Sequence, residues 1–278
     1  MVDGRDSETI PMDDYITANR ALWNTWADFH VDSTFYDVEG FKAGRSSLHS
    51  TEIEEVGDVA GKSLLHLQCH FGMDTRSRAR RGATVTGVDF SDHAIAYARA
   101  LAEEAGIPAR FVQSDLYSRP NVLDGEFDVV FTSYGVLYWL PDIERWATVV
   151  ARFLKPGGRF AIVEYHPFAA VFESEGVTSL EPTYSYFHGP EPLRFETSGS
   201  YAGPTPGYQG VEYGWQHSLS EIVNALIAAG LRLESLREFP YSNEQRFPFM
   251  ERAADGRWRL PGTLDGMIPL LFSLRATK

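Results

Sequence analysis

The 278-residue sequence contains a single cysteine, Cys69, so no internal disulfide can form and a reducing, cytoplasmic setting is expected. No apolar run approaches the ~20 residues that span a bilayer. The first fourteen residues are polar and acidic and lack the charged-then-apolar order of a secretory signal. No membrane association is therefore expected. Positive charge is also scarce: 25 Lys and Arg stand against 38 Asp and Glu, a formal net charge of −13. Nucleic-acid binding rests on neutralising phosphates with basic side chains, so neither DNA nor RNA is an expected partner. The one basic concentration is the four arginines within Arg76 to Arg81, expected to form a solvated helix face. The eight histidines fall into no ligand spacing with cysteine or acids, and no metal site is expected.

What is present is a regular alternation. Apolar residues make up 44% of the chain, enough for a substantial core. Residues 14–30 carry Tyr15, Ile16, Leu22, Trp23, Trp26 and Phe29 at helical spacing. Short apolar strands are predicted at 63–67, 83–88, 110–113, 127–132 and 159–164. Helices are predicted between them, at 74–81, from an N-cap at Ser91 to Gly106, and from Pro141 to Lys155-Pro156-Gly157-Gly158. Strands separated by helices imply parallel pairing with right-handed crossovers. A capping box, Ser218-Leu219-Ser220-Glu221, opens a further helix ending at Gly230. Two final strands follow, at 231–237 and about 268–276.

The expected fold is thus α/β: a Rossmann-like, seven-stranded, mostly parallel sheet with helices on both faces. A helical segment (1–60) precedes a core (61–167), an insertion follows (168–216), and residues 217–278 complete what is overall one domain. The insertion holds eight aromatic residues between Tyr184 and Trp215, more than a passive loop requires, and is expected to act as a lid.

The loop after the first strand carries the most chemical information. Leu64-Leu65-His66-Leu67-Gln68-Cys69-His70-Phe71-Gly72 turns into a helix, and the next strand ends on Asp89. Such a unit grips a nucleoside: the helix N-terminus and loop N–H groups face the ligand, and the acid accepts the ribose hydroxyls. Nicotinamide dinucleotides and S-adenosylmethionine share this grip. A dinucleotide signature needs Gly-x-Gly-x-x-Gly for close approach to a pyrophosphate, and here Gln68 and His70 leave Gly72 alone. A pyrophosphate fits poorly beside them, whereas S-adenosylmethionine has none.

Taken with Gly87-Val88-Asp89-Phe90-Ser91, Ser114-Asp115-Leu116, Phe127-Asp128-Val129-Val130-Phe131-Thr132-Ser133-Tyr134 and Leu154-Lys155-Pro156-Gly157-Gly158, the chain from about Tyr15 onward resembles a class I S-adenosylmethionine-dependent methyltransferase. Its turn departs from the usual Asp-x-Gly-x-Gly-x-Gly. It is similar to a mostly bacterial branch acting on small molecules, in which a Gln-Cys-His-Phe-Gly turn occurs. The resemblance implies S-adenosylmethionine as cofactor and a small-molecule acceptor methylated on N, O or C. It implies that Gly72 admits the cofactor and that Gln68, His70 and Ser133 line its site. Asp89 would bind the ribose, Phe90 would lie against the adenine, and Asp115 with the Leu116 N–H would read the adenine edge. Tyr134 would stand where the methionine end meets the acceptor.

Strand 159–164 runs out through Glu164-Tyr165-His166, and ligands of parallel sheets lie beyond the strands' carboxyl ends. His166 is therefore the expected base, with Tyr134 beside it, and Trp23, Trp26, Tyr138, Trp215 and His217 are expected around the acceptor. Two other readings stay open: an RNA or protein methyltransferase, against which the acidic charge argues, and a non-catalytic protein that kept the fold. Oligomeric state is not readable.

Overall fold

The computed structural model describes residues 12–117, 123–205 and 207–278. Residues 1–11, most of the segment read above as carrying no signal, lie outside them. Helix α1 (Met12–His30) buries the stripe Tyr15, Leu22, Trp26 and His30, and two short helices follow, α2 (Val38–Lys42) and α3 (Ser50–Val56). The core alternates β1 (Ser63–Leu67), α4 (Met73–Arg80), β2 (Thr84–Asp89), α5 (Asp92–Glu104), β3 (Arg110–Gln113), β4 (Phe127–Ser133), α6 (Ile143–Phe153) and β5 (Leu154–Tyr165). The insertion contributes the hairpin of β6 (Leu193–Thr197) and β9 (Gly210–Gly214), with a two-residue pair, β7 (Gly199–Ser200) and β8 (Gly203–Pro204), between them. Helix α7 (Leu219–Ala228) then leads to β10 (Arg232–Phe239) and, at the end of the chain, β14 (Leu271–Thr277).

The main sheet has seven strands in the order β10-β14-β5-β4-β1-β2-β3. Strands β1 to β5 are parallel, and β14 runs antiparallel to both β5 and β10. Successive side chains point to opposite faces of a strand. Leu65 and Val130 accordingly pack with Trp146 and Phe153 of α6 and Leu226 of α7, while Leu64 and Val129 pack with Val56 of α3. Strand β5 starts five residues earlier than expected, running straight through Lys155-Pro156-Gly157-Gly158. The ladder to β4 breaks register there, and Asp128 holds Lys155 Nζ at 2.8 Å and the Ser63 N–H at 2.8 Å. Between β10 and β14 lies a small three-stranded sheet absent from the sequence reading, β11 (Tyr241–Ser242), β12 (Glu251–Arg252) and β13 (Trp258–Arg259). Its strands are two residues long, too short to leave a periodic signal.

The arginines of α4 overturn an expectation. Arg76 and Arg78 are fully buried rather than solvated. Arg76 donates from Nη1 to the Ala98 carbonyl at 2.6 Å and from Nη2 to the Phe71 carbonyl at 3.0 Å, its guanidinium lying over the rings of Phe41 and Phe111. Arg78 donates to the Glu52 carbonyl at 3.0 Å and stacks over Phe131. A guanidinium carries five donors and a flat apolar face, so carbonyls and aromatic rings substitute for water. Arg76 thereby ties the cofactor-loop residue Phe71 to α5.

Replacing Arg76 with Leu strands two buried carbonyls, each hydrogen-bonded to a charged donor. The expected loss is about 3 kcal/mol of unfolding free energy, measured by urea titration. A loss below about 1 kcal/mol would return the arginine to the role of a surface residue.

Candidate active site

The loop that follows β1 is bent by two non-glycine residues in the left-handed region, Gln68 at φ 56° and His70 at φ 51°. These are the positions where the sequence lacks glycine. Each residue is held by a neighbour from another element. Gln68 Nε2 donates to the Val136 carbonyl at 3.0 Å, and the His70 N–H donates to Asp89 Oδ2 at 2.8 Å. The His70 ring meets His30 of α1, Nε2 to Nδ1, at 2.9 Å, and the other nitrogen of His30 meets Ser200 Oγ at 2.8 Å. Burial lowers the His30 pKa to about 4, so a neutral ring joins α1, the loop and the insertion.

Asp89 is buried at the end of β2, and its second oxygen accepts the Ser91 N–H at 2.9 Å. A carboxylate is an acceptor only, and each of its two oxygens here takes one backbone N–H. Asp115, after β3, accepts the Tyr117 N–H at 2.9 Å.

Gly72 earns its place differently from the expectation. Its φ is 74°, and a Cβ there would collide with the Phe111 ring of β3. Packing of the loop onto the sheet, in a conformation that side chains disfavour, is sufficient reason for glycine.

These groups open into one cavity of about 1440 Å³ beyond the carboxyl ends of β1, β2, β4 and β5. All of the residues singled out from the sequence for cofactor, base or acceptor line it. Trp23 and Trp26 pack edge-to-face with each other and with Trp139, and Trp23 also meets His70. Tyr201 of the insertion closes on His30 at 4.8 Å between centroids and shares a short hydroxyl–hydroxyl contact with Tyr36. Tyr138 donates to Glu212 of β9 at 3.2 Å, and burial raises the pKa of both groups.

One histidine does not match the role expected of it. His166 is buried with both ring nitrogens in use: Nδ1 accepts the Phe168 N–H at 3.0 Å, leaving Nε2 to donate to Glu238 at 2.8 Å. That tautomer has no lone pair left for an acceptor proton, so His166 serves as a clamp on the chain leaving β5. His217 likewise donates from Nε2 to the Leu140 carbonyl at 2.7 Å and stacks on His188.

Sequence reasoning missed Glu164, His49 and Arg246. Glu164 accepts the N–H groups of Gly135, Val136, Leu137 and Tyr165, shaping the turn after β4 that holds Tyr134 at φ 43°. An acid ending an apolar strand was its visible signal. His49 caps the start of α3, with Nε2 3.6 Å from Glu244 and the side chain 39% exposed. Neither His49 nor Arg246 sits in a motif.

The chain resembles known proteins along the same core. Residues 65–162 match the family model described as a methyltransferase domain. The ubiquinone biosynthesis O-methyltransferase of Bordetella pertussis (strain Tohama I) is 31% identical over 168 residues, 58% of this chain and 69% of that protein. The protein of the same name from Escherichia coli O7:K1 is 32% identical over 132 residues, 46% and 55% of the two chains. The alignments thus span from about half to two thirds of these curated relatives. A solved S-adenosylmethionine-dependent methyltransferase from Mesorhizobium loti superposes with a TM-score of 0.53 at 18% identity, covering 85% of this chain and 100% of that one. A glycopeptide N-methyltransferase complexed with S-adenosylmethionine gives 0.52 at 18%, covering 83% and 87%. The chain belongs to the class I S-adenosylmethionine-dependent methyltransferases. It is an enzyme of methyl transfer, with S-adenosylmethionine as its cofactor.

The lining fits that cofactor. Gln68 Oε1, His70 Nδ1, Trp23 Nε1 and Trp26 Nε1 are buried without a protein partner. Buried polar atoms are normally paired, and an ammonium with a carboxylate supplies both signs of partner. Among the described residues no cluster of potential metal ligands occurs, and no helix is long and apolar enough to cross a membrane.

The Gly72→Ala variant forces a side chain into a left-handed position against Phe111. It is expected to lose about 1–3 kcal/mol of stability. S-adenosylhomocysteine affinity should fall with it, since the loop must move; calorimetry on the folded fraction measures this.

Proposed function

We propose that this enzyme methylates a nitrogen, oxygen or carbon of a small-molecule acceptor by in-line displacement, and that the insertion is the lid over that acceptor. The observation that carries the reading is the buried Asp89 carboxylate, which joins the β1 loop to the turn after β2 through two backbone N–H bonds while lining a cavity large enough for two ligands. Ligand pockets usually run ~300–1,000 Å³, and this one is about 1440 Å³. Asp89 is assigned to the ribose, Phe90, Asp115 and Leu116 to the adenine, and Gln68, His70, Gly72 and Ser133 to the methionine end. The Gln-Cys-His-Phe-Gly turn supports placement in the small-molecule branch, and the names of the relatives, O-methyltransferases, favour a hydroxyl acceptor.

Bound there, S-adenosylmethionine supplies an already activated methyl group. The protein's contribution is then chiefly alignment, which can supply ~7–11 kcal/mol of the barrier. The trios Trp23, Trp26, Trp139 and Tyr36, His30, Tyr201 exclude water between α1, the loop and the insertion. For the acceptor proton we assign His49 in place of His166. Among the described residues its Nε2 makes no hydrogen bond, with Glu244 Oε1 3.6 Å away, and the ring stands edge-on to Tyr134 at 5.8 Å beside the Asp74 carboxyl. Burial lowers the His49 pKa below the usual 6.5, so the ring is neutral and able to take a proton at physiological pH.

Two measurements test this reading. Asp89→Ala removes a charged acceptor worth about 1.5–3 kcal/mol per hydrogen bond. S-adenosylhomocysteine affinity by calorimetry should therefore drop at least tenfold, and an unchanged Kd defeats the assignment. Once an acceptor is in hand, His49→Ala should lower kcat by about 10²–10⁴. The wild-type acid limb of kcat should lie below pH 6.5, because activity is lost only as the depressed His49 pKa is crossed downward. His166→Ala should instead lower thermal stability and leave kcat of the folded enzyme within a few-fold. The opposite pattern restores His166 as the base.

A further inference from the structure

The cavity holds a cation that the cofactor reading does not use. Arg246 follows β11 in the loop leading to β12, and its guanidinium lies 5.8 Å from the centre of the Tyr165 ring and 5.7 Å from that of Phe247. Its one hydrogen bond among the described residues is long, from Nε to the Ala169 carbonyl at 3.4 Å. Among the described residues both terminal nitrogens are without a hydrogen-bond acceptor, and no carboxylate lies within ion-pair distance. The other arginine of the cavity, Arg45, is paired with Asp37 at 2.9 Å. Nor do the acids of this wall answer Arg246. Glu164 is occupied by the turn after β4, Glu173 accepts the Tyr184 hydroxyl at 2.7 Å, Glu212 accepts Tyr138, and Glu244 lies 3.6 Å from His49 Nε2.

Location separates this charge from the nucleoside. Asp89 ends β2, and Tyr165, on which Arg246 lies, ends β5; β1 and β4 stand between them. At roughly 4.8 Å per strand that is about 14 Å along the sheet edge. A guanidinium's paired terminal N–H groups match the two oxygens of a carboxylate in one plane. A single arginine balances one negative charge, which suits a carboxylate better than a phosphate dianion. The walls beside it are aromatic: Tyr138, Tyr165, Phe172, Tyr184 and Trp258 line the same cavity.

We propose that Arg246 recognises a carboxylate on the methyl acceptor, and that the acceptor is an aromatic acid bearing a hydroxyl or amino group for methylation. This rests on the methyl-transfer reading above and deepens it by naming a substrate class.

The test uses the full chain saturated with S-adenosylhomocysteine. Hydroxybenzoic and aminobenzoic acids are titrated by calorimetry beside their carboxamides, on wild type, Arg246→Gln and Arg246→Lys. The acids should bind at least tenfold more tightly than the amides to wild type. That preference should vanish in Arg246→Gln and return in part in Arg246→Lys, while S-adenosylhomocysteine affinity stays within twofold throughout. Acids and amides that cannot be told apart on wild type, whether both bind or neither does, overturn the proposal. A tenfold loss of S-adenosylhomocysteine affinity in Arg246→Gln also overturns it, because the guanidinium would then hold the cofactor's own carboxylate. Wild type that binds no S-adenosylhomocysteine at all would instead defeat the methyl-transfer reading on which the proposal stands.

Discussion

Two backbone hydrogen bonds to one buried carboxylate organise this molecule. Asp89 accepts the His70 N–H at 2.8 Å and the Ser91 N–H at 2.9 Å, so the loop leaving β1 and the turn leaving β2 share an anchor. Bonds to a charged acceptor are stronger than neutral ones, and here they fix the carboxylate that is proposed to meet the ribose. The same carboxylate thus sets the shape of the loop and the turn beside it.

That anchor explains how the loop dispenses with glycine. Left-handed conformations at Gln68 and His70 cost roughly 1–3 kcal/mol each, and such strain persists only where the surroundings over-determine it. Val136 holds one residue through its side chain, and Asp89 and His30 hold the other through its backbone and its ring. The substituted side chains also give the loop reach that glycine lacks. Through His70 and His30 it is connected to Ser200 of the insertion, so the loop and that part of the insertion are held to one another.

Helix α1 is the second support. Buried Asn19 donates to the Tyr213 carbonyl at 2.7 Å and accepts the Tyr213 N–H at 2.9 Å, pairing with the backbone of β9 as a neighbouring strand would. The insertion hairpin is thereby docked on the same helix that presents Trp23 and Trp26 to the cavity. Arg76 does the corresponding work below the loop, and Glu164 does it at the turn after β4. The cavity beyond β4 and β5 is consequently walled by elements distant in sequence: α3, the insertion and the 243–250 segment.

What the sequence determined by itself was everything written in contacts of four residues or fewer. The short apolar strands, the Ser91 and Ser218 caps, the loop after β1 and the acid closing β2 are local, and they defined the α/β alternation and the seven strands. Tertiary structure decided the rest. The arginines of α4 read as solvated because their partners, Ala98 and Glu52, lie 22 and 26 residues away. His166 read as a base because Glu238, 72 residues on, could not be seen to claim its second nitrogen. His49 and Arg246 carry no motif, and they reach the cavity only because α3 and the small sheet of β11, β12 and β13 fold back over the ends of β4 and β5. A side chain's chemistry depends on burial and on its partners, and where those partners come from distant segments, sequence periodicity holds no record of them.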